Sequence, residues 1–232
     1  SQLNQALLQA QAQTERASQS KSRFLTAVSH DLMQPLNAAR LFSASLAHQS
    51  DMPPEVEELV RHLDSSLASA EELISDLLDI SRLEAGRIVP ELGDFALSEL
   101  FDPLRIEFSA LAVEQGIDLR IHSSRLRVRS DMRLLRRVLQ NFLTNAFRYA
   151  SAARVVLGVR HLHGAVRIEV WDQGPGIPQD KLQLIFEEFQ RLDSHRTQAE
   201  KGLGLGLAIA DGLCRVLGHE LSVRSWPGHG SV

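Results

Sequence analysis

The chain has 232 residues, 25 Lys and Arg against 29 Asp and Glu, and an apolar fraction of 44%. That length holds one large domain or two small ones, each with its own core, and a net charge of −4 excludes a general nucleic-acid binder. A single cysteine, Cys214, excludes an intrachain disulfide and fits a reducing compartment; with no signal peptide and no apolar run of membrane-spanning length, a cytoplasmic fragment without membrane contact is expected, any sensor or membrane part lying outside it.

Residues 1–22 are rich in Gln, Ala and Ser, with a weak heptad stripe at Leu3, Leu7, Ala10, Thr14 and Ala17. An incoming signalling helix and a frayed tail both fit that pattern. From Phe24 to Leu46 the stripe strengthens, with Val28, Leu32, Leu36, Ala39 and Phe42 at steps of three or four. Pro35 lies inside the run and predicts a kink. The stretch 49–54, ending in Pro53 and Pro54, reads as a turn. A second helix is predicted from Glu55 to Ala85 on Val56, Leu59, Leu63, Leu67, Ala70, Leu77 and Ile80, with Gly86 as its cap. Two such helices make an antiparallel hairpin that cannot cover both apolar faces alone. Pairing two hairpins in a four-helix bundle predicts a homodimer.

Beyond Gly86 the pattern becomes mixed. Strands are predicted near 118–122, 126–129, 152–161, 165–172 and 220–225, and helices near 98–115, 131–149 and 205–217. The pair His163-Gly164 suggests a hairpin between antiparallel neighbours. The predicted fold is a helical hairpin followed by a two-layer α/β sandwich. Its divisions are 1–22 for the incoming helix, 23–88 for the hairpin and 94–232 for the sandwich. The Arg-rich stretch Arg125–Arg137 reads as a solvated helix face and strand edge. The polar stretch 190–203 is the candidate mobile loop.

Four features carry chemistry. His30 lies roughly 200° from both Val28 and Leu32 around a helix, so it points away from the apolar stripe. Asp31 follows it, and a carboxylate that holds one ring nitrogen makes the other a better nucleophile. Asp172-Gln-Gly174-Pro-Gly176 ends a predicted strand; an acid there accepts from an exocyclic amine, and the glycines let backbone approach a ligand. Gly202-Leu-Gly204-Leu-Gly206 opens a helix whose N-terminal N–H groups suit phosphate. It matches neither the dinucleotide nor the P-loop spacing. Asn141 and Asn145 share a helix face, and their amide oxygens suit Mg²⁺; Arg148 and Tyr149 lie one turn on.

In their joint order these motifs resemble the histidine kinase family across nearly the whole chain. Phe24-Leu-Thr-Ala-Val-Ser-His-Asp-Leu-Met-Gln-Pro-Leu36 is similar to the family's H-box. Asn141-Phe-Leu-Thr-Asn-Ala-Phe-Arg-Tyr149 is similar to its N-box, and Ile185-Phe-Glu-Glu-Phe-Gln-Arg191 to its F-box. The end of the second helix, Leu77 to Gly86, resembles the end of the dimerisation helix. The H-box form resembles that of sensor kinases with upstream PAS and downstream receiver domains.

The resemblance implies an ATP site of the Bergerat type shared with gyrase and Hsp90 ATPases. Asp172 would accept from the adenine amine and Asn145 would ligate Mg²⁺ beside Asn141. Arg148, Tyr149, Arg191 and Lys201 would lie near the phosphates, with Gly202, Gly204 and Gly206 cradling them. The segment between Gly174 and Gly202 would be the lid. His30 would attack the γ-phosphate with Asp31 as orienting base, and the phosphoryl group would pass to an aspartate of a response regulator receiver domain. Two departures stand out. The family's usual Glu is Asp31 here, with the same chemistry. The usual Thr or Asn four residues after the histidine is Gln34, which leaves a phosphatase role open. The family's last strand would just begin at Gly230–Val232. A gyrase-like hydrolase is a second reading, but it needs a Glu where Asn141 stands. A nucleotide-binding scaffold without phosphotransfer is a third.

Overall fold

The computed structural model describes residues 27–29, 31–47, 52–149, 153–162, 164–190 and 203–232. The chain divides into two compact units, Ser1–Arg87 and Ile88–Val232. His30, Arg191, Lys201, Gly202 and the predicted incoming helix lie outside the described residues.

The first unit is helical. Helix α1 covers 31–47 and continues past Pro35. Helix α2, Pro54–Glu84, starts with proline in its first turn, where no N–H is missed, and carries Glu55 and Glu57 at the positive end of its dipole. It stops where the sequence predicts. Gly86 takes φ +59°, its N–H bonds the Leu83 carbonyl and the Arg87 N–H bonds that of Arg82, a Schellman closure. Between the helices Arg40 pairs with Glu71 at 2.7 Å, and Ser43, Val60 and Leu67 are buried. The apolar positions on α2 split between two faces. Val60 and Leu67 are covered, while Val56, Leu59 and Leu63 are exposed, as are Leu41, Phe42 and Leu46 on α1.

The second unit is a two-layer α/β sandwich. Its order is β1 (Gly93–Ala96), α3 (Leu97–Gln115), β2 (Asp118–Ile121), β3 (Arg127–Ser130), α4 (Met132–Tyr149), β4 (Arg154–Leu162), β5 (Ala165–Asp172), α5 (Gly206–Leu217), β6 (Ser225–Trp226) and β7 (Gly230–Ser231), with 3₁₀ turns at Gln179–Lys181 and Leu184–Phe186. The main sheet runs β2-β4-β5-β7-β6, and β1 pairs with β3 separately. β4 and β5 form the antiparallel hairpin expected from the sequence, with Leu162 opposite Ala165 and Gly164 at φ +78°.

The sheet adds details to the sequence expectation and departs from it in one predicted strand. β2 and β4 are parallel, because β3 and α4 form a crossover between them, so the sheet is mixed. Residues 220–223 are not a strand; of the predicted stretch, Arg224 exchanges hydrogen bonds with Val232 at 2.9 and 2.8 Å and Ser225 pairs with Ser231. Short β1 is an additional strand, β6 takes up only the last residue of the strand predicted near 220–225, and β7 lies where the last strand was expected to begin.

The core lies between the sheet and the helices. Val155 and Leu157, alternate residues of β4, are fully buried, as are Leu100, Phe101 and Leu104 of α3, Leu143 of α4 and Ile209 of α5. Each such side chain is worth roughly 1.5–3 kcal/mol on burial. Asp131 caps α4: one carboxylate oxygen accepts the Leu134 N–H at 3.0 Å and the other accepts the Glu91 N–H at 2.9 Å. α5 ends at Gly218, which takes φ +68°. Cys214 on α5 is buried and packs rather than reacts; burial pushes its thiol up to about 11.

Candidate functional site

The site is assembled at one end of the sandwich. β5 carries Asp172 to the sheet's end, where it stands opposite Val155 on one side and Ser231 on the other. Its Oδ1 accepts the Gly174 N–H at 2.7 Å. Burial raises the Asp172 carboxyl above its ordinary value, and the backbone N–H groups of Gly174 and Ser231 partly offset that rise. The glycines after it are required by space. A Cβ at Gly174 would lie 2.8 Å from Asp172 Oδ1 and 3.3 Å from the Tyr149 carbonyl oxygen. Gly176 has φ +70°, and a Cβ there would collide with the Trp226 carbonyl.

Helix α4 supplies the opposite wall. Asn141 is buried, and its Nδ2 donates to the Arg137 carbonyl at 3.1 Å. Gly206, first residue of α5, lies against Asn141, with room for a Cβ only at 3.1 Å from Oδ1. The open N-terminus of α5 is thereby brought to the amide helix, and its preceding residue Leu205 makes no side-chain cap. Asn145, one turn further along α4, lines a cavity of about 470 Å³ together with Asp172, Ile177, Ile185, Phe186 and Leu207. That cavity continues between β5 and the segment 218–224.

The structure therefore brings Asn145 and Asp172 to one cavity and places Asn141, Tyr149, Gly174 and Gly206 directly behind its walls. Arg148 is half-buried in the last turn of α4 and is not among the lining residues. Gly204 has φ +75° just before α5. Phe189 is the non-glycine residue with positive φ, 61°, among the described residues, and it is exposed; such backbone costs on the order of 1–2 kcal/mol. Asp31 and Gln34 are exposed on α1 of the first unit.

Asn145 suits Mg²⁺ by donor chemistry: a neutral amide oxygen is a hard ligand, and Mg²⁺ takes few protein ligands when phosphates and waters fill the rest. Among the described residues no cluster of three or more His, Cys, Asp or Glu side chains offers an all-protein alternative.

Sequence reasoning missed the β6–β7 turn, Ser225 to Ser231. Ser225 Oγ accepts the Ile177 N–H at 2.7 Å, and the Gly228 N–H bonds the Pro175 carbonyl at 2.7 Å. The available signal was a second glycine pair, Gly228-His-Gly230, now seen at φ +79° and +106°.

Two family matches fit this arrangement. Residues 20–86 match "His Kinase A (phospho-acceptor) domain", and residues 130–232 match "Histidine kinase-, DNA gyrase B-, and HSP90-like ATPase". The chain is 30% identical to Hybrid signal transduction histidine kinase B of Dictyostelium discoideum, over 94% of this chain and 11% of that protein. It is 33% identical to an uncharacterized sensor-like histidine kinase of Rhizobium meliloti (strain 1021), over 95% of this chain and 43% of that protein. The chain thus spans less than half the length of these relatives. In structure it is similar to full-length ShkA in complex with AMPPNP, with a TM-score of 0.70 and 28% identity over 89% of this chain and 43% of that one.

Proposed function

Because this chain carries the catalytic core of a sensor histidine kinase, we propose that it transfers the γ-phosphoryl group of ATP to His30 and onward to an aspartate of a receiver domain. The observation that carries the nucleotide half of this reading is Asp172, fixed at the end of β5 by the Gly174 N–H with Asn145 lining the same cavity.

In this reading the free side of the Asp172 carboxylate accepts from the adenine amine, and the close glycines let the purine edge lie against backbone. Asn145 holds Mg²⁺, and Asn141 supports it from behind. Mg²⁺ neutralises phosphate charge that would otherwise repel a nucleophile. Gly202, Gly204, Gly206 and the α5 N-terminus take the phosphate oxygens, with Arg148, Tyr149, Arg191 and Lys201 as nearby donors. The distal His30 nitrogen forms the N–P bond while the bond from the γ-phosphorus to the β,γ-bridging oxygen breaks and ADP leaves. The proton on the other ring nitrogen goes to Asp31. In the second step the receiver carboxylate attacks phosphorus and His30 is restored. Gln34, longer than the family's usual residue, would have to place water differently, so a phosphatase role stays open. Asn141 in place of a water-activating Glu disfavours simple hydrolysis.

The exposed Leu41, Phe42, Leu59 and Leu63 support a homodimer. A second hairpin laid on this face completes a four-helix bundle and removes the apolar surface from water. Among the described residues no helix is long and apolar enough to cross a membrane.

The nucleotide reading is tested by titrating AMPPNP with Mg²⁺ into the wild-type chain and Asp172→Asn. Asparagine presents an N–H₂ or a weaker acceptor to the amine, so affinity should fall at least about tenfold. Equal affinity in the two proteins would remove Asp172 from the site.

A further inference from the structure

The loop that follows Asp172 is held at its start by Asp172 itself and by Arg154 of β4, whose N–H bonds Gln173 Oε1 at 3.2 Å, and at its far end by the β6–β7 turn. Ser225 is the centre of that hold. Its Oγ accepts the N–H of Ile177 at 2.7 Å, lies 3.2 Å from the Gly230 carbonyl to which it donates, and lies 2.8 Å from Ser231 Oγ. Ser231 in turn stands opposite Asp172 across the β5–β7 ladder. One hydroxyl therefore ties the far end of the loop, at Ile177, to the strand that grips its near end, at Asp172. Backbone contacts reinforce the tie. The Gly228 N–H bonds the Pro175 carbonyl at 2.7 Å, the Trp226 carbonyl fills the space a side chain on Gly176 would need, and the Asp172 carbonyl does the same at Gly230. Trp226 also stacks on Trp171 of β5, with rings 6.3 Å apart and within 7° of parallel.

We propose that Ser225 is a positioning residue that sets the site's preference for adenine, by fixing the 173–177 loop relative to the Asp172 carboxylate. It touches neither purine nor phosphate in this account, which rests on the nucleotide reading above. A pre-placed carboxylate discriminates for the amine because the correct geometry exists before binding and need not be ordered by it. Without the hydroxyl the Ile177 N–H loses its acceptor, the loop's far end is released, and the Asp172 carboxylate meets the purine in a spread of orientations. Such a loss falls on the adenine contact and spares the phosphate contacts.

The test compares AMPPNP with inosine triphosphate, which carries a carbonyl in place of the adenine amine. Both are titrated with Mg²⁺ into the wild-type chain, Ser225→Ala and Ser225→Thr. The wild type should prefer AMPPNP. Ser225→Ala should lose about tenfold in AMPPNP affinity with little change for inosine triphosphate, so the ratio contracts about tenfold. Ser225→Thr keeps the hydroxyl and should keep the ratio. An unchanged ratio in Ser225→Ala, including one in which both affinities fall together, overturns the proposal. A wild type with no preference for adenine overturns the Asp172 reading itself, and the two failures are told apart by the protein in which they occur. A check that needs no variant is amide exchange at Ile177 in the nucleotide-free wild type. Protection well above that of an exposed loop amide is expected, and unprotected exchange would also overturn the proposal.

Discussion

Burial works against the Asp172 carboxylate, and the N–H groups of Gly174 and Ser231 recover only part of what desolvation takes. Its folded-state value lies above the ordinary 3.8, so the native protein holds this proton more tightly than the unfolded chain. The group's contribution to stability is then greatest in acid and is lost as pH rises through the folded value. At neutral pH the charge is kept at a cost, which suits a residue retained for binding. Asp172→Asn without nucleotide should melt no lower than wild type at pH 7, even as it loses AMPPNP. Asp131 has the opposite sign. Burial, the largest single influence, raises it, but the N–H groups of Glu91 and Leu134 and the Arg133 charge together hold it below 3.8. Its contribution is present at neutral pH and is lost as pH falls through that lowered value. Asp131→Ala removes the cap of α4 and should cost roughly 1–2 kcal/mol of stability, read as a lower denaturation midpoint at pH 7 and a smaller loss near pH 3.

At the scale of elements, α1 and α2 present more apolar surface than one hairpin covers. Leu59 is 72% exposed and Phe42 also 72%, values that a long amphipathic helix reaches when its second face awaits a partner. Leu59→Glu should therefore shift the sedimentation of the chain from dimer to monomer while leaving helix content unchanged; a monomeric wild type would contradict the bundle. The long helices were legible because each repeats its apolar step over several turns, and the helix stops at glycine, Gly86, Gly116 and Gly218, take positive φ as required. The split of α2 into two faces was not legible, since Val60 and Leu59 are equally apolar neighbours and only the position of α1 decides which is covered. Strands of two or four residues such as β1, β6 and β7 carry no detectable alternation. Residues 220–223 alternate well, yet propensity forms no strand without a ladder partner.

On the scale of the whole molecule, two units carry two halves of one chemistry. The proposed nucleotide half was visible in the sequence as separated motifs, and among the described residues Asn141 to Tyr149, Asp172 to Gly176 and Gly204 to Gly206 each have a local backbone reason to exist. What tied them together was not readable. Gly206 against Asn141 and Ser225 against Ile177 are contacts between residues tens of positions apart, made by packing and by one hydroxyl. The acceptor half rests on the H-box around His30. In the proposed reaction these halves meet in a single event, the appearance of phosphorus on His30. Its most direct test is to incubate the chain with Mg²⁺ and γ-labelled ATP and to locate the label by mass spectrometry under neutral conditions. The account predicts one acid-labile, base-stable phosphoryl group on His30, absent in His30→Gln and greatly reduced in Asp172→Asn. Acid-stable label, label that persists in His30→Gln, or ATP turnover with no phosphoprotein would contradict it.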